Sequence, residues 1–201
     1  GLTSSLLAAL TGDNSAYLVS KVQPMKLAAM EALYNGGTDQ SLTVVACVNP
    51  FVQPDYVNQQ KAPLRIGIPN GLSLLATRSF HGYVPGVNNI INGYTLPDGS
   101  KEPSFADKIA SGKKAIVALA NYRQAQKYKN EAEAKASLGV LRANMKYFGY
   151  GYVKSTDQLV PFIPVCFWSF RIMVGLGFLF ILFFAVVLYF VYRKDIAKLR
   201  W

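Results

Sequence analysis

The chain has 201 residues, 51% of them hydrophobic and 16% charged, with a formal net charge of +10. Its Lys and Arg residues are spread out, with no long basic run, no zinc-finger spacing and no RNP-like aromatic motif, so nucleic-acid binding is set aside and the charge reads as a solvated basic face near anionic lipid or an acidic partner. A single histidine, His81, excludes a multi-His metal site built from this chain alone, and Cys47 and Cys166 lack the spacing of a zinc site or a disulfide framework and read as packing residues.

Taken in chain order, Gly1 to Leu10 is apolar but has no basic n-region, so it is not a signal peptide. Residues 1–22 are expected to be the end of a preceding membrane helix and its exit. Residues 23–62 read as a flexible, loop-like stretch, with Asn-Gly-Gly at 35–37 and prolines at Pro50 and Pro54. Within it the pattern predicts one short helix, Met25 to Tyr34, and an apolar run, Leu42 to Val48, of strand character.

Residues 63–159 are more regular. Leu64, Ile66 and Ile68 alternate between Pro63 and Pro69, Gly71 to Ser79 is compatible with a helix, and a Gly/Pro/Asn-rich stretch spans Gly82 to Gly99. Two amphipathic helices follow. The first has Ser104 as N-cap with Asp107 three residues on, and its apolar positions are Phe105, Ile109, Ile116 and Leu119. The second begins near Asn130 with Glu133 in the box position, carries the stripe Ala134, Leu138, Leu141, Met145 and Phe148, and is expected to stop at Gly149 and Gly151. Joined by a short turn, the two should form an antiparallel hairpin around one apolar seam.

Residues 160–201 read as a transmembrane helix with a basic end. Ile172 to Tyr192 is 21 residues without a charge, enough to cross the roughly 30 Å of a bilayer core. Arg193, Lys194, Lys198 and Arg200 follow, against Asp195 alone. The positive-inside rule then puts this end in the cytoplasm and the long polar region in the periplasm of a bacterium.

Catalytic motifs such as G-x-S-x-G, H-E-x-x-H and the Walker P-loop are absent. Arg171 interrupts an apolar span, where an ionisable residue is a functional candidate. Its position roughly 30 Å from Arg193 also fits a snorkelling interfacial anchor, and spacing alone leaves both open. Met173 by itself reads as packing, and its offset of about 200° around the helix keeps it off the face of Arg171, so only a large ligand would use both. Lys26 and Glu31 lie just past the membrane exit, five residues apart, either as solvated charges or as site residues. His81 reads as a hydrogen-bonded structural histidine.

These residues fall where the chain resembles a known family. The run GDNSAYLVSKVQPMKLAAMEALY resembles the start of the quinol-binding loop in subunit I of the cytochrome bd quinol oxidases, IPNGLSLLATRS a second stretch of that loop, and FGYGYV with FRIMVGLGFL its end and the next membrane helix. The resemblance implies that Lys26 and Glu31 serve quinol binding and oxidation, that Met173 is an axial ligand of a low-spin b-type haem iron, and that Arg171 stabilises that haem through a propionate. Asp13 matches the family and Asn14 departs from it. A second haem b, haem d, subunit II and small accessory subunits are expected in the full complex. His81 falls in the outer loop, so a histidine partner for Met173 is expected elsewhere in the subunit.

The fold class expected is mostly α, a membrane protein fragment with an extracytoplasmic loop domain of short helices and a helical hairpin, and one transmembrane helix. The function expected is part of a terminal respiratory oxidase of the inner membrane. The alternative is a membrane-anchored extracytoplasmic sensor or adaptor without redox chemistry.

Overall fold

The long helix that closes the chain organises everything before it. In the computed structural model, which describes residues 1–59 and 61–193, helix α7 runs Ile163–Arg193, 31 residues, within a segment of mean hydropathy 2.8. At 1.5 Å per residue it is about 46 Å long, more than a bilayer core requires. Its lower part is exposed apolar surface, as a lipid- or helix-facing span must be, and only its first turns are buried, at Ile163, Pro164 and Phe167. The basic residues Lys194, Lys198 and Arg200, on which the orientation argument rests, lie outside the described residues together with Asp195.

Helix α1 (Leu2–Val22) packs alongside α7 and ends at Gln23, because a residue preceding proline disfavours the helical region. Pro24 then opens helix α2 (Pro24–Met30) at the position where its missing N–H costs nothing. The expected Met25–Tyr34 helix is cut short at Met30. Ala32 adopts a left-handed conformation (φ 46°), and the N–H groups of Ala32 and Leu33 fold back to the carbonyls of Ala29 and Ala28. That is a Schellman closure with an alanine where glycine is usual, and it makes Glu31 the C-cap residue.

Strand β1 (Leu42–Val45) pairs antiparallel with β2 (Ile66–Ile68), with an irregularity between Thr43 and Val45. Helices α3 (Gly71–Thr77) and α4 (Val87–Asn92) and the two-residue strands β3 (Tyr94–Thr95) and β4 (Lys101–Glu102) complete the first half of the loop domain. Helix α2 is its centre. One face buries Met25, Ala28 and Ala29 against Val87, Ile90, Phe105, Ile163 and Phe167, and the other sends Leu27 into a second cluster with Leu33, Leu72, Ala76 and Val84. The stretch read from sequence as loop-like is thus a main contributor to the core. It is also tied to α7, where Trp168 Nε1 donates to the Val48 carbonyl at 3.0 Å and the Ile163 N–H to Gln53 Oε1 at 2.9 Å.

Helix α5 (Phe105–Lys127) and helix α6 (Glu131–Asn144) form the expected hairpin. The Ser104 and Asn130 side chains accept from the Asp107 and Glu133 N–H groups, as the box motifs predict. The seam meets expectation in part, since Phe105 and Ile109 are buried while Ile116 and Leu119 are only half-buried. Its buried α5 residues include Gly112, Ala115, Ala118 and Ala125, while the α6 stripe is only half-buried and Met145 is exposed. After α6 the chain tightens into 3₁₀ turns, Met145–Tyr152, instead of stopping at the glycines. Those turns lie against α5 so closely that a Cβ on Gly112 would collide with the backbone of Tyr147 and Gly151.

Candidate functional site

The site is built where α2, β1 and α7 converge. As the C-cap of α2, Glu31 projects toward α7 and has 0% exposure. Arg171, on the third turn of α7, reaches up to it in a two-pronged pair, Nη2 to Oε2 at 2.9 Å and Nη1 to Oε1 at 3.2 Å. The same nitrogens donate to the Met30 carbonyl at 2.9 Å and the Thr43 carbonyl at 2.7 Å. Thr43 closes the circle, its N–H donating to Glu31 Oε2 at 3.1 Å. One turn before Arg171 on the same helix face, the Phe167 ring lies under the guanidinium, 4.4 Å from its centroid, a cation–π contact.

Glu31 is therefore not a solvated charge, and Arg171 is not a cation snorkelling alone. Burial pushes the Glu31 carboxyl above its ordinary value, and the charge and hydrogen bonds of Arg171 oppose that rise without cancelling it. The guanidinium has four terminal N–H donors, and the four acceptors just named engage them. Its fifth, Nε–H, is buried without a partner among the described residues, as is Nε of Arg65.

Lys26 is separate from this pair. A spacing of five residues puts it about 140° around the helix from Glu31, and it is exposed, lining a cleft of about 900 Å³ on the other side of α2. The cleft is amphipathic. Tyr83, Tyr94, Tyr147, Tyr150 and Phe105 supply flat aromatic walls, and Val22 at the end of α1 and Cys166 at the start of α7 line it with Pro24 and Pro161. Glu102, also on the lining, lies 3.6 Å from both Lys108 and Lys146. Met173 is on neither site. Its side chain is 61% exposed on the uncovered surface of α7.

The remaining candidates lie outside both groups. Asp13 on α1 forms a two-pronged pair with Arg78 at 2.6 and 3.1 Å, pinning α1 to the end of α3, and the guanidinium of Arg78 lies over Tyr17. Asn14 is exposed. His81 Nδ1 meets Asp39 Oδ1 at 2.5 Å in an exposed loop.

Sequence reasoning missed Thr43, Arg65 and Phe167. The two strands that carry Thr43 and Arg65 to the site were each visible as apolar runs, and pairing them would have brought both residues near α2. Nothing local signals that Glu31 and Arg171, 140 residues apart, meet.

A family model described as cytochrome bd terminal oxidase subunit I matches residues 1–201. The chain is similar to cytochrome bd-II ubiquinol oxidase subunit 1 of Escherichia coli (strain K12), 30% identical over 201 aligned residues that cover 94% of this chain and 36% of that protein. It is also similar to a putative cytochrome bd menaquinol oxidase subunit I of Bacillus subtilis (strain 168), 36% identical over 84 residues, 42% of this chain and 17% of that protein. The chain thus spans about a third of the length of the first of these relatives.

Proposed function

The chain belongs to the cytochrome bd terminal oxidase subunit I family, and from that premise we propose that it is the quinol-oxidising loop, with the following membrane helix, of a respiratory oxidase in a bacterial inner membrane. The loop faces the periplasm, and the whole complex, with subunit II and accessory subunits, carries electrons from membrane quinol through haem to oxygen. The observation that carries the reading is the buried Glu31–Arg171 pair, which joins a carboxylate of the loop to a cation of the membrane helix. The sensor or adaptor reading rests on the single strong span and the helical hairpin, both of which lie within the family match.

Each residue has work suited to its surroundings. The cleft has the size and the flat aromatic walls for a quinol ring. Lys26, exposed at its edge, orients a quinol oxygen and stabilises the negative charge that develops there as the O–H proton leaves. Quinol oxidation releases two protons, and a carboxylate raised by burial takes one more readily than a surface carboxylate does. Glu31 is buried and does not line the cleft, so a proton reaches it by relay and not from the quinol directly; Oε1 is the receiving atom, since Oε2 already accepts from Thr43 N–H as well as Arg171. Arg171 then opposes retention of that proton and favours its onward release.

The family implies haem, and two features suit a group approaching from outside this chain. Arg171 Nε–H is buried without an acceptor, and the Met173 thioether lies on an uncovered face. Met173 would ligate the iron of a low-spin b-type haem, and Arg171 would face its propionate. When bound, that haem takes the electrons of quinol and passes them toward a second haem b and haem d held elsewhere in the subunit.

The test is Lys26→Ala in the full-length complex. Losing a contact that strengthens in the transition state costs on the order of a hundredfold in quinol oxidation, with a normal haem spectrum. Unchanged quinol kinetics would remove Lys26 from the site and the cleft from the reading.

A further inference from the structure

The two orphaned guanidinium nitrogens belong to one cluster. Arg65 directly precedes β2, whose Ile66 pairs with Val45, two residues from the Thr43 that contacts both Glu31 and Arg171. Arg65 is anchored there by Nη2, which donates to the Ser41 carbonyl at 2.6 Å, while its Nε is buried and unpartnered among the described residues. Burial lowers the basicity of Arg65, Glu31 opposes that, and Arg171 adds to it, so the three groups sense one another. The cluster holds two guanidinium cations against one carboxylate. Its other acceptors, the carbonyls of Met30, Ser41 and Thr43, are neutral. It is therefore short of one negative charge and of acceptors for two N–H donors. A buried donor without an acceptor is costly, and a guanidinium fork is shaped for carboxylate oxygens.

We propose that Arg65 is a second binding residue for an anionic carboxylate supplied from outside this chain, held jointly with Arg171 through their two free Nε–H groups, and that this carboxylate is a haem propionate. The inference rests on the reading of the segment as part of a haem-bearing subunit and adds to it a residue on the loop side. It makes the β1–β2 ribbon a clamp over the haem edge, so that folding of the loop and retention of the haem support each other. A carboxylate side chain from another part of the complex has the same chemistry, and the experiment separates the two.

The experiment is a spectroelectrochemical titration of the low-spin haem in the full-length complex carrying Arg65→Gln or Arg65→Lys. Removing a positive charge beside a propionate favours the oxidised haem. The Gln variant should shift the redox equilibrium about tenfold toward ferric, 59 mV for one electron, and the Lys variant, which keeps the charge, should stay within about twofold of the parent. An unshifted Gln variant would overturn the proposal and point to a side-chain carboxylate instead. A Lys variant shifted as far as Gln would also overturn it, since a merely structural bond to Ser41 predicts that pattern. If the Gln variant loses the haem, retention by the Lys variant supports the proposal and equal loss in both overturns it. A parent complex with no low-spin haem would overturn the proposed function itself.

Discussion

Glu31→Gln is the sharpest perturbation of the site. The side chain is near-isosteric, so the Schellman closure of α2 and the surrounding core are untouched in volume. What changes is charge and donor count. Arg171 and Arg65 lose the carboxylate they share, and the new amide NH₂ faces a guanidinium that needs acceptors. Glu31 has 0% exposure and the Arg171 side chain 12%, so water compensates little of the loss. Breaking a buried ion pair by removing one partner costs about 3–5 kcal/mol, and about 1.4 kcal/mol is tenfold in an equilibrium. Local opening around Glu31 should therefore become roughly a hundred- to several-thousandfold more frequent. The Thr43 amide, which donates to Glu31 Oε2, reports that opening directly through hydrogen exchange in the solubilised complex. An exchange rate at Thr43 within threefold of the parent would refute the buried-pair geometry. Asp13→Asn serves as the control, because it breaks a pair whose partners are both 43% exposed, and Thr43 exchange should hardly respond.

Met173→Leu preserves volume and removes the sulfur; the low-spin haem signal should become high-spin or vanish, and an intact reduced-minus-oxidised spectrum would end the ligand assignment. Gly112→Val puts a branched side chain into backbone of the 3₁₀ turns, and overpacking of this kind costs about 1–3 kcal/mol, so the complex should melt earlier, with Gly139→Val, at a position open to space, as the silent comparison. A cytoplasmically active reporter fused after Trp201 in the full-length protein should be active, and periplasmic activity there would reverse the orientation.

The chain shows which features a sequence exposes and which it hides. The long apolar span, the two capped helices and the turn between them rest on local chemistry within a few residues, and they stand in the structure, although α7 starts nine residues before the charge-free run and α6 ends at Asn144, short of the glycines. The α5 stripe was right at Phe105 and Ile109 but not beyond, because the later buried positions are glycine and alanine, whose burial leaves no peak in a hydrophobic pattern; the larger apolar residues Ile116 and Leu119 are only half-buried. Glu31 was hidden for a different reason. Its burial depends on Ala32 accepting a left-handed backbone that alanine disfavours, and on a strand and a helix that arrive later in the chain. Nothing in the K-L-A-A-M-E run signals what each of its two charged residues faces.

The raised Glu31 carboxyl carries a further consequence. A folded-state value above the ordinary one means that burial penalises the charged form more than Arg171 rewards it. On that balance the ionised pair is no net gain for the fold, and replacing a buried pair with apolar side chains of similar size is often neutral or stabilising. The double variant Glu31→Leu with Arg171→Met removes both charges and keeps α2 packed on α7. Arg65 is the one cation left in the cluster, and its anchor on Ser41 is intact. The melting temperature of the complex should then return close to the parent's, well above that of the single Glu31→Gln variant, while quinol oxidation stays lost and the haem signal is weakened; the Thr43 amide has lost its acceptor in this variant and is not the readout. If stability and oxidation recover together, the pair is a packing device and the carboxylate takes no proton. If neither recovers, the pair holds the joint between loop and membrane helix through its own attraction, and the raised carboxyl has been misjudged. Recovery of stability alone identifies the pair as chemistry kept at the expense of the fold.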